Sequence, residues 1–295
     1  MTRESKNSAA EATRSTYLSP AKINLILRIT SKRSDGYHNI LSLMQPISLY
    51  DEVEVEVNTD GGIDVKADVP GVPNGPENLA YRAARLFLDE SGIKSGVKVS
   101  IRKRIPHGAG LGGGSSNAAT VLVALNELSG AGFSVEKLMA LGAELGSDVP
   151  FFMLKTSAIA TGRGTELRAV KLPSYQYVLI NPGFGVSTEW AYSNFILTNG
   201  IEDNTLFYSE DTFNDLPWLT RSMYNDLESV TASVHPQIAV IKEALVRAGA
   251  EGALMSGSGP TLFGIFSDHA RAATAAASLR ESLGDECRVF HVEGL

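Results

Sequence analysis

A single cysteine, Cys287, stands in the whole chain, which excludes an internal disulfide framework and a cysteine metal cluster. The five histidines, His38, His107, His235, His269 and His291, are scattered, and no two share the spacing of a zinc site. Long apolar runs are missing too. None approaches the roughly 18 residues that a membrane span needs, and the small, polar stretch Met1 to Thr16 has no hydrophobic signal core. A disordered extension over residues 1–16 and a place in the reducing cytoplasm are therefore expected. Positive charge is in deficit: 26 Lys and Arg face 33 Asp and Glu, a formal net charge of −7. That balance argues against nucleic acid or a membrane as the main partner. There is no internal repeat, and beyond the N-terminus only the run Ala270 to Ala277 is of low complexity.

What the chain does have is glycine in the right place. Pro106-His107-Gly108-Ala109-Gly110-Leu111-Gly112-Gly113-Gly114-Ser115-Ser116 puts five glycines into seven residues. Before it, Val97, Val99 and Ile101 alternate with polar residues, a half-buried strand. After it, Ala118, Val121, Leu122 and Leu125 recur at helical spacing. A strand, a glycine loop and a helix N-terminus together form an anion site, most naturally for phosphate. Ser115 or Ser116 is the expected N-cap. No lysine follows the last glycine, so this is not a Walker A loop. Gly108, Gly110 and Gly113 satisfy the dinucleotide pattern, but the alternating strand before them and the helix expected over 135–145 do not. A glycine turn that merely packs a helix on a sheet is the competing reading. Arg102-Lys103-Arg104 leads into the loop, as phosphate attraction or as a solvated strand end.

The 295 residues, 43% of them hydrophobic, suffice for two domains, with the boundary expected near Lys171–Ser174, between 17–172 and 173–295. Strands are expected at 21–29, 52–57, 97–101 and 157–161, helices at 78–90, 116–128 and 135–145, and an irregular loop at 58–76. The second half should carry a strand near Tyr177, helices at 188–195, 227–233, 238–248 and 270–283, and strands at 252–256, 261–266 and 287–292. That order suits two helices on a mostly antiparallel sheet.

Four more segments carry polar groups unlike an ordinary core strand. In Ser19–Leu25, alternation sets Lys22 and Asn24 opposite Ala21, Ile23 and Leu25, so both can face one cleft. Asp35-Gly36-Tyr37-His38 is a turn followed by an aromatic and an imidazole. Gly146-Ser147-Asp148-Val149-Pro150 sets an acid between a helix end and an expected proline-led strand. Ser256-Gly257-Ser258-Gly259-Pro260 is a second glycine turn between strands. Alone, each has a plain alternative: Asp148 as a cap, Lys22 as a solvated residue, His38 as a surface histidine.

In this order, Pro20-Ala-Lys-Ile-Asn24, Gly110-Leu-Gly-Gly-Gly-Ser-Ser116 and Gly257-Ser-Gly-Pro260 resemble the GHMP kinases. Asp35–His38, Asp148–Phe151, Asn181–Gly183 and Asn225-Asp-Leu-Glu228 extend the resemblance over about Ser19 to Phe266. His107 departs from it, where an apolar residue is expected. The resemblance implies an α+β fold of two domains, the N-terminal one like ribosomal protein S5 domain 2 and the C-terminal one ferredoxin-like, with the active site between them. It implies a kinase that uses ATP and Mg²⁺ and phosphorylates the 2-hydroxyl of a cytidine diphosphate-linked sugar alcohol, a small-molecule substrate, as a monomer or homodimer. Asp148 then corresponds to the catalytic base and Lys22 to the lysine beside it. Asn24, Tyr37, His38, Thr188 and Tyr192 fall on the substrate side. Pro106, His107, Gly108, Ala109, Gly110, Leu111, Gly112, Gly113, Gly114, Ser115 and Ser116 fall at the ATP phosphates, with Asn78 and Lys103 on the nucleotide side. The metal ligands are not implied. A sibling kinase of homoserine or mevalonate type shares the glycine loop, a non-catalytic sensor on the same fold would still bind nucleotide, and a plain interaction module would bind no ATP.

Overall fold

A long antiparallel hairpin organises the first half of the computed structural model, which describes residues 13–197 and 210–295. Strand β1 (Thr13–Lys32) pairs with β2 (His38–Asn58), with register shifts after Pro20, Asn24 and Ile29. Then follow β3 (Ile63–Ala67), α1 (Leu79–Ser91), β4 (Gly96–Arg102), α2 (Gly113–Ser129), α3 (Val135–Leu145), α4 (Val149–Leu154), β5 (Ala158–Thr161) and β6 (Glu166–Ala169). The second half holds β7 (Gln176–Asn181), α5 (Thr188–Ser193), α6 (Glu210–Phe213), α7 (Leu216–Ser222), β8 (Tyr224–Asn225) and α8 (Asp226–Val234). It closes with α9 (Gln237–Arg247), β9 (Gly252–Met255), β10 (Leu262–Phe266), α10 (His269–Leu283) and β11 (Arg288–Glu293).

Among the described residues the strands form two sheets. One runs β3-β4-β2-β1-β8, with β5 and β6 branching from β2; the other runs β11-β7-β10-β9, every pairing antiparallel. Alternation explains the packing. Ala21, Ile23 and Leu25 of β1 are fully buried in one core with Tyr177 and Leu179 of β7 and Phe263 of β10. Full burial of side chains such as Ile23 and Leu25 contributes roughly 1.5–3 kcal/mol each, so this shared core holds the two sheets together. Lys22 and Asn24 are left on the opposite face. A second core joins the outer strands to α1, α2, α3 and α4, and a third lies between the C-terminal sheet and helices α9 and α10.

Helix ends follow local chemistry. The Asn78 side chain accepts from the Ala80 N–H at 2.9 Å to start α1, and Ser134 accepts from Lys137 N–H at 3.2 Å to start α3. Several expectations need correction. Thr13–Thr16, taken as disordered, pair with Glu54–Val57, because ladder bonds use the backbone whatever the side chain; residues 1–12 lie outside the described residues. Within the loop expected at 58–76, Ile63, Val65 and Ala67 form a parallel strand beside β4. The proline-led segment after Asp148 is helix α4, since Pro150 sits in the first turn where no N–H is required. Helix α2 starts at Gly113, not Ser116, and its cap is Gly112 rather than a serine. No described helix is long and apolar enough to cross a membrane.

Candidate active site

The glycine loop, β1, the turn at 35–38, the head of α4, helix α5 and the turn after β9 enclose one cavity of about 900 Å³. The loop between β4 and α2 turns its carbonyls inward. Those of Gly108, Ala109, Gly110, Leu111 and Gly112 accept from Val186 N, Thr261 N, Ser256 Oγ, Lys22 N and Ser116 N at 2.9–3.4 Å. Gly113, Gly114 and Ser115 line the cavity at the start of α2, where the first N–H groups have no partner within the helix. That is an anion site built from backbone.

Two glycines are required by the protein itself. Gly110 (φ +75°) could carry no Cβ without striking the Ser256 carbonyl. Gly112 (φ +70°) could carry none without meeting Phe152 Cζ at 2.9 Å and Lys22 Cγ at 3.1 Å. Gly114 differs: a Cβ there would find only Leu79 Cδ1, at 3.7 Å.

Across from the loop, Lys22 Nζ lies 2.6 Å from Asn24 Oδ1 and 3.5 Å from Asp148 Oδ2. Asn24 is held in turn, donating Nδ2 to Ser42 Oγ at 2.8 Å. The Lys22 side chain is only 5% exposed while that of Asp148 is 36% exposed, so the carboxylate opens on the cavity and the ammonium backs it. Asp148 occupies the N-cap position of α4, yet its side chain makes no cap hydrogen bond. Its oxygens remain available to a ligand.

At the far side, Tyr37 is 54% exposed with the Arg163 guanidinium 4.9 Å from its ring centroid. His38 stacks on Tyr192 with centroids 5.5 Å apart. Burial, with help from the Lys32 charge, pushes the His38 pKa down, so its imidazole is neutral at pH 7 and can accept as well as donate. Burial raises the Tyr192 pKa strongly. Thr188 Oγ1 sits 3.1 Å from Ser258 Oγ.

The cavity thus gathers Lys22, Asp148, Asn24, Tyr37, His38, Thr188, Tyr192, Asn78, Lys103 and most of the loop from Pro106 to Ser115. Two predicted residues do not reach it. Leu111 is buried in the core shared by the sheets, and Ser116, fully buried, accepts the Ser19 hydroxyl at 2.7 Å. The basic triplet is paired within the protein, although Lys103 also lines the cavity. Arg102 and Arg104 both pair with Glu52, and Lys103 is bound to Asp51 and Asn117. Asp51, fully buried, also accepts the N–H groups of Arg104 and Ile105 at 2.8 and 2.9 Å. Sequence reasoning missed Lys32, Arg163 and Glu189 in the lining, and singled out the turn of Gly257 and Ser258 without assigning it to the site. For Arg163 a signal existed: an arginine between two glycines, Gly162 and Gly164, in a turn.

Comparison with known proteins follows the same outline. The family model described as the GHMP kinases N terminal domain matches residues 78–156, and that described as GHMP kinases C terminal matches residues 208–285. The chain is 47% identical over 268 residues to 4-diphosphocytidyl-2-C-methyl-D-erythritol kinase of Geobacter sp. (strain M21), covering 90% of this chain and 95% of that one. It is 46% identical over 278 residues to the enzyme of that name from Syntrophotalea carbinolica, covering 94% and 98%. A crystal structure of 4-(cytidine 5'-diphospho)-2C-methyl-D-erythritol kinase superposes with a TM-score of 0.80 at 37% identity, covering 95% of this chain and all of that one.

Proposed function

The chain belongs to the GHMP kinase family and is a small-molecule kinase; from that premise we propose that it phosphorylates the 2-hydroxyl of 4-diphosphocytidyl-2-C-methyl-D-erythritol at the expense of ATP. That reaction belongs to isoprenoid precursor synthesis by the route without mevalonate. The observation that carries the reading is the Lys22–Asp148 pair, 3.5 Å apart, opening on the cavity that the glycine loop also lines. A non-catalytic sensor would not need it.

Phosphoryl transfer is mainly in-line positioning and neutralisation of charge. The head of α2 receives the ATP phosphates. Asp148 accepts the proton of the acceptor hydroxyl as its oxygen bonds to the γ-phosphorus and the bond from that phosphorus to the bridging oxygen breaks, leaving ADP. Lys22 orients Asp148 from behind, and Asn24 holds Lys22. Mg²⁺ fits as an ion that arrives with the nucleotide. Among the described residues no three His, Cys, Asp or Glu side chains cluster as a metal site, and Mg²⁺ commonly takes few protein ligands beside substrate phosphates. Ser115, lining the cavity, would supply an oxygen. Bound there, the ion would neutralise the phosphate charge that builds up during transfer.

Tyr37 offers an exposed ring for stacking the cytosine, and His38 a neutral imidazole for its polar edge. Tyr37→Ala should raise KM for the cytidylylated substrate at least tenfold (about 1.4 kcal/mol, within the range of about 1–3 kcal/mol for base stacking) and leave KM for ATP nearly unchanged. Equal changes in both constants would remove Tyr37 from the cytidine pocket. The function itself is tested by ADP release with four alcohols: the cytidylylated methylerythritol, free methylerythritol, homoserine and mevalonate. Turnover should be confined to the first. Comparable turnover of homoserine or mevalonate would overturn the assignment in favour of a sibling kinase.

A further inference from the structure

Asn225-Asp226-Leu227-Glu228 is absent from the cavity lining, yet its polar side chains reach the strands and turn beneath that cavity. Asn225 is buried, and its Nδ2 donates to two backbone carbonyls, Met255 at 2.7 Å and Gly257 at 2.8 Å. Its Oδ1 accepts the Leu227 N–H at 2.9 Å and so caps α8. Asp226 accepts the N–H of Ile29 in β1 at 2.6 Å, and Glu228 accepts the N–H of Met255 at 2.9 Å while pairing with Lys242. One turn along, the fully buried Thr231 donates its hydroxyl to the Ser258 carbonyl at 3.1 Å. The head of α8 therefore grips the carbonyls of residues 255, 257 and 258 in succession.

That turn is the one against which the phosphate loop rests. Ser256 Oγ donates to the Gly110 carbonyl at 3.0 Å and accepts the N–H of Asn24 at 3.3 Å. The absence of a side chain at Gly110 is what lets the two backbones meet, since any Cβ would strike Ser256. Gly257 and Ser258 also line the cavity. A continuous run of contacts leads from Asn225, through the 255–258 turn, to Gly110 on one side and to the Lys22–Asn24 segment on the other. A mere structural clamp would have no reason to end on both halves of the reacting site.

We propose that Asn225 is a positioning residue for phosphoryl transfer. By holding the carbonyls of Met255 and Gly257 it fixes Ser256 against Gly110, and so sets the nucleotide phosphates relative to Lys22 and Asp148. The inference rests on the kinase reading given above. Asn225→Asp is the informative change. It keeps the acceptor that caps α8 but replaces the shared donor with an oxygen facing two carbonyls. Thr231→Val is the milder companion, nearly isosteric and removing only the bond to Ser258. Ile241→Val, in the core beneath α9, serves as a purely structural control.

Steady-state constants and melting temperature are measured for wild type and all three variants. Asn225→Asp should raise KM for ATP at least tenfold and lower kcat, with KM for the acceptor alcohol within about threefold. Thr231→Val should raise KM for ATP about fivefold, the loss of one hydrogen bond. Ile241→Val should lower the melting temperature and leave both KM values alone. An unchanged KM for ATP in folded Asn225→Asp, or equal shifts in both KM values, would overturn the proposal. Should Asn225→Asp fail to fold, an unchanged KM for ATP in Thr231→Val overturns it. A wild-type protein that turns over no alcohol would refute the kinase reading instead, and ATP-induced thermal shifts of the same variants would still decide the position of the loop.

Discussion

Asp148→Asn should lower kcat by about 10²-fold or more, the scale of a positioned general base, with the fold and the affinity for ATP preserved. The amide is the same size but cannot take the hydroxyl proton. The helix that Asp148 begins loses nothing, because the carboxylate makes no cap bond to α4. Lys22 loses its anion, yet it keeps Asn24 Oδ1 at 2.6 Å, so the buried ammonium is not left unpartnered. A loss confined to kcat, with KM for ATP and the melting temperature close to wild type, is the expected pattern. Turnover within about threefold of wild type would take Asp148 out of the proton path.

The availability of that carboxylate was not visible in the sequence. An aspartate followed by Val-Pro is itself a helix-start signal, and a capping role for Asp148 was the plain alternative. The apolar run Val149–Leu154 has no period of its own, so it read as a strand; only tertiary packing against α2 and α3 makes it a helix. Helix α3, by contrast, was legible to its ends, because Ser134 and Gly146 mark them and Leu138, Leu141 and Gly142 face the core. The same contrast runs through the site. Lys22 and Asn24 could be set on one face by alternation alone, and the glycine loop declared itself by composition.

What a linear reading lacks is partners distant in sequence. Arg102-Lys103-Arg104 looked attractive to phosphate because Asp51 and Glu52, which bind all three, lie about 50 residues upstream and meet them only across the β2–β4 ladder. Ser116 looked like a cap because Ser19, its partner, sits on a strand 97 residues away. The role of a glycine likewise depends on its neighbours across the fold. The resemblance places Gly110 and Gly112 at the ATP phosphates, and the structure shows that both also make room for protein.

That distinction decides how the cradle must be tested. Gly112→Val would put a β-branched side chain against Phe152 and Lys22 at a positive φ, and a loss of ATP binding there would report on folding. Gly114 is the informative position. It lines the cavity within the first turn of α2, needs no positive φ, and has only Leu79 near its would-be Cβ, at an ordinary 3.7 Å. Gly114→Val should therefore fold with an unchanged melting temperature. Its side chain would occupy the space where phosphate oxygens must approach the N–H groups of residues 113–115. Losing one or two charge-assisted hydrogen bonds of about 1.5–3 kcal/mol each predicts a fall in ATP affinity of about 10²-fold. Gly114→Ala should fall between the two. Calorimetric titration of the folded variant with Mg-ATP reads this directly. An affinity within about threefold of wild type would make the glycine loop a packing device and move the nucleotide elsewhere in the cavity.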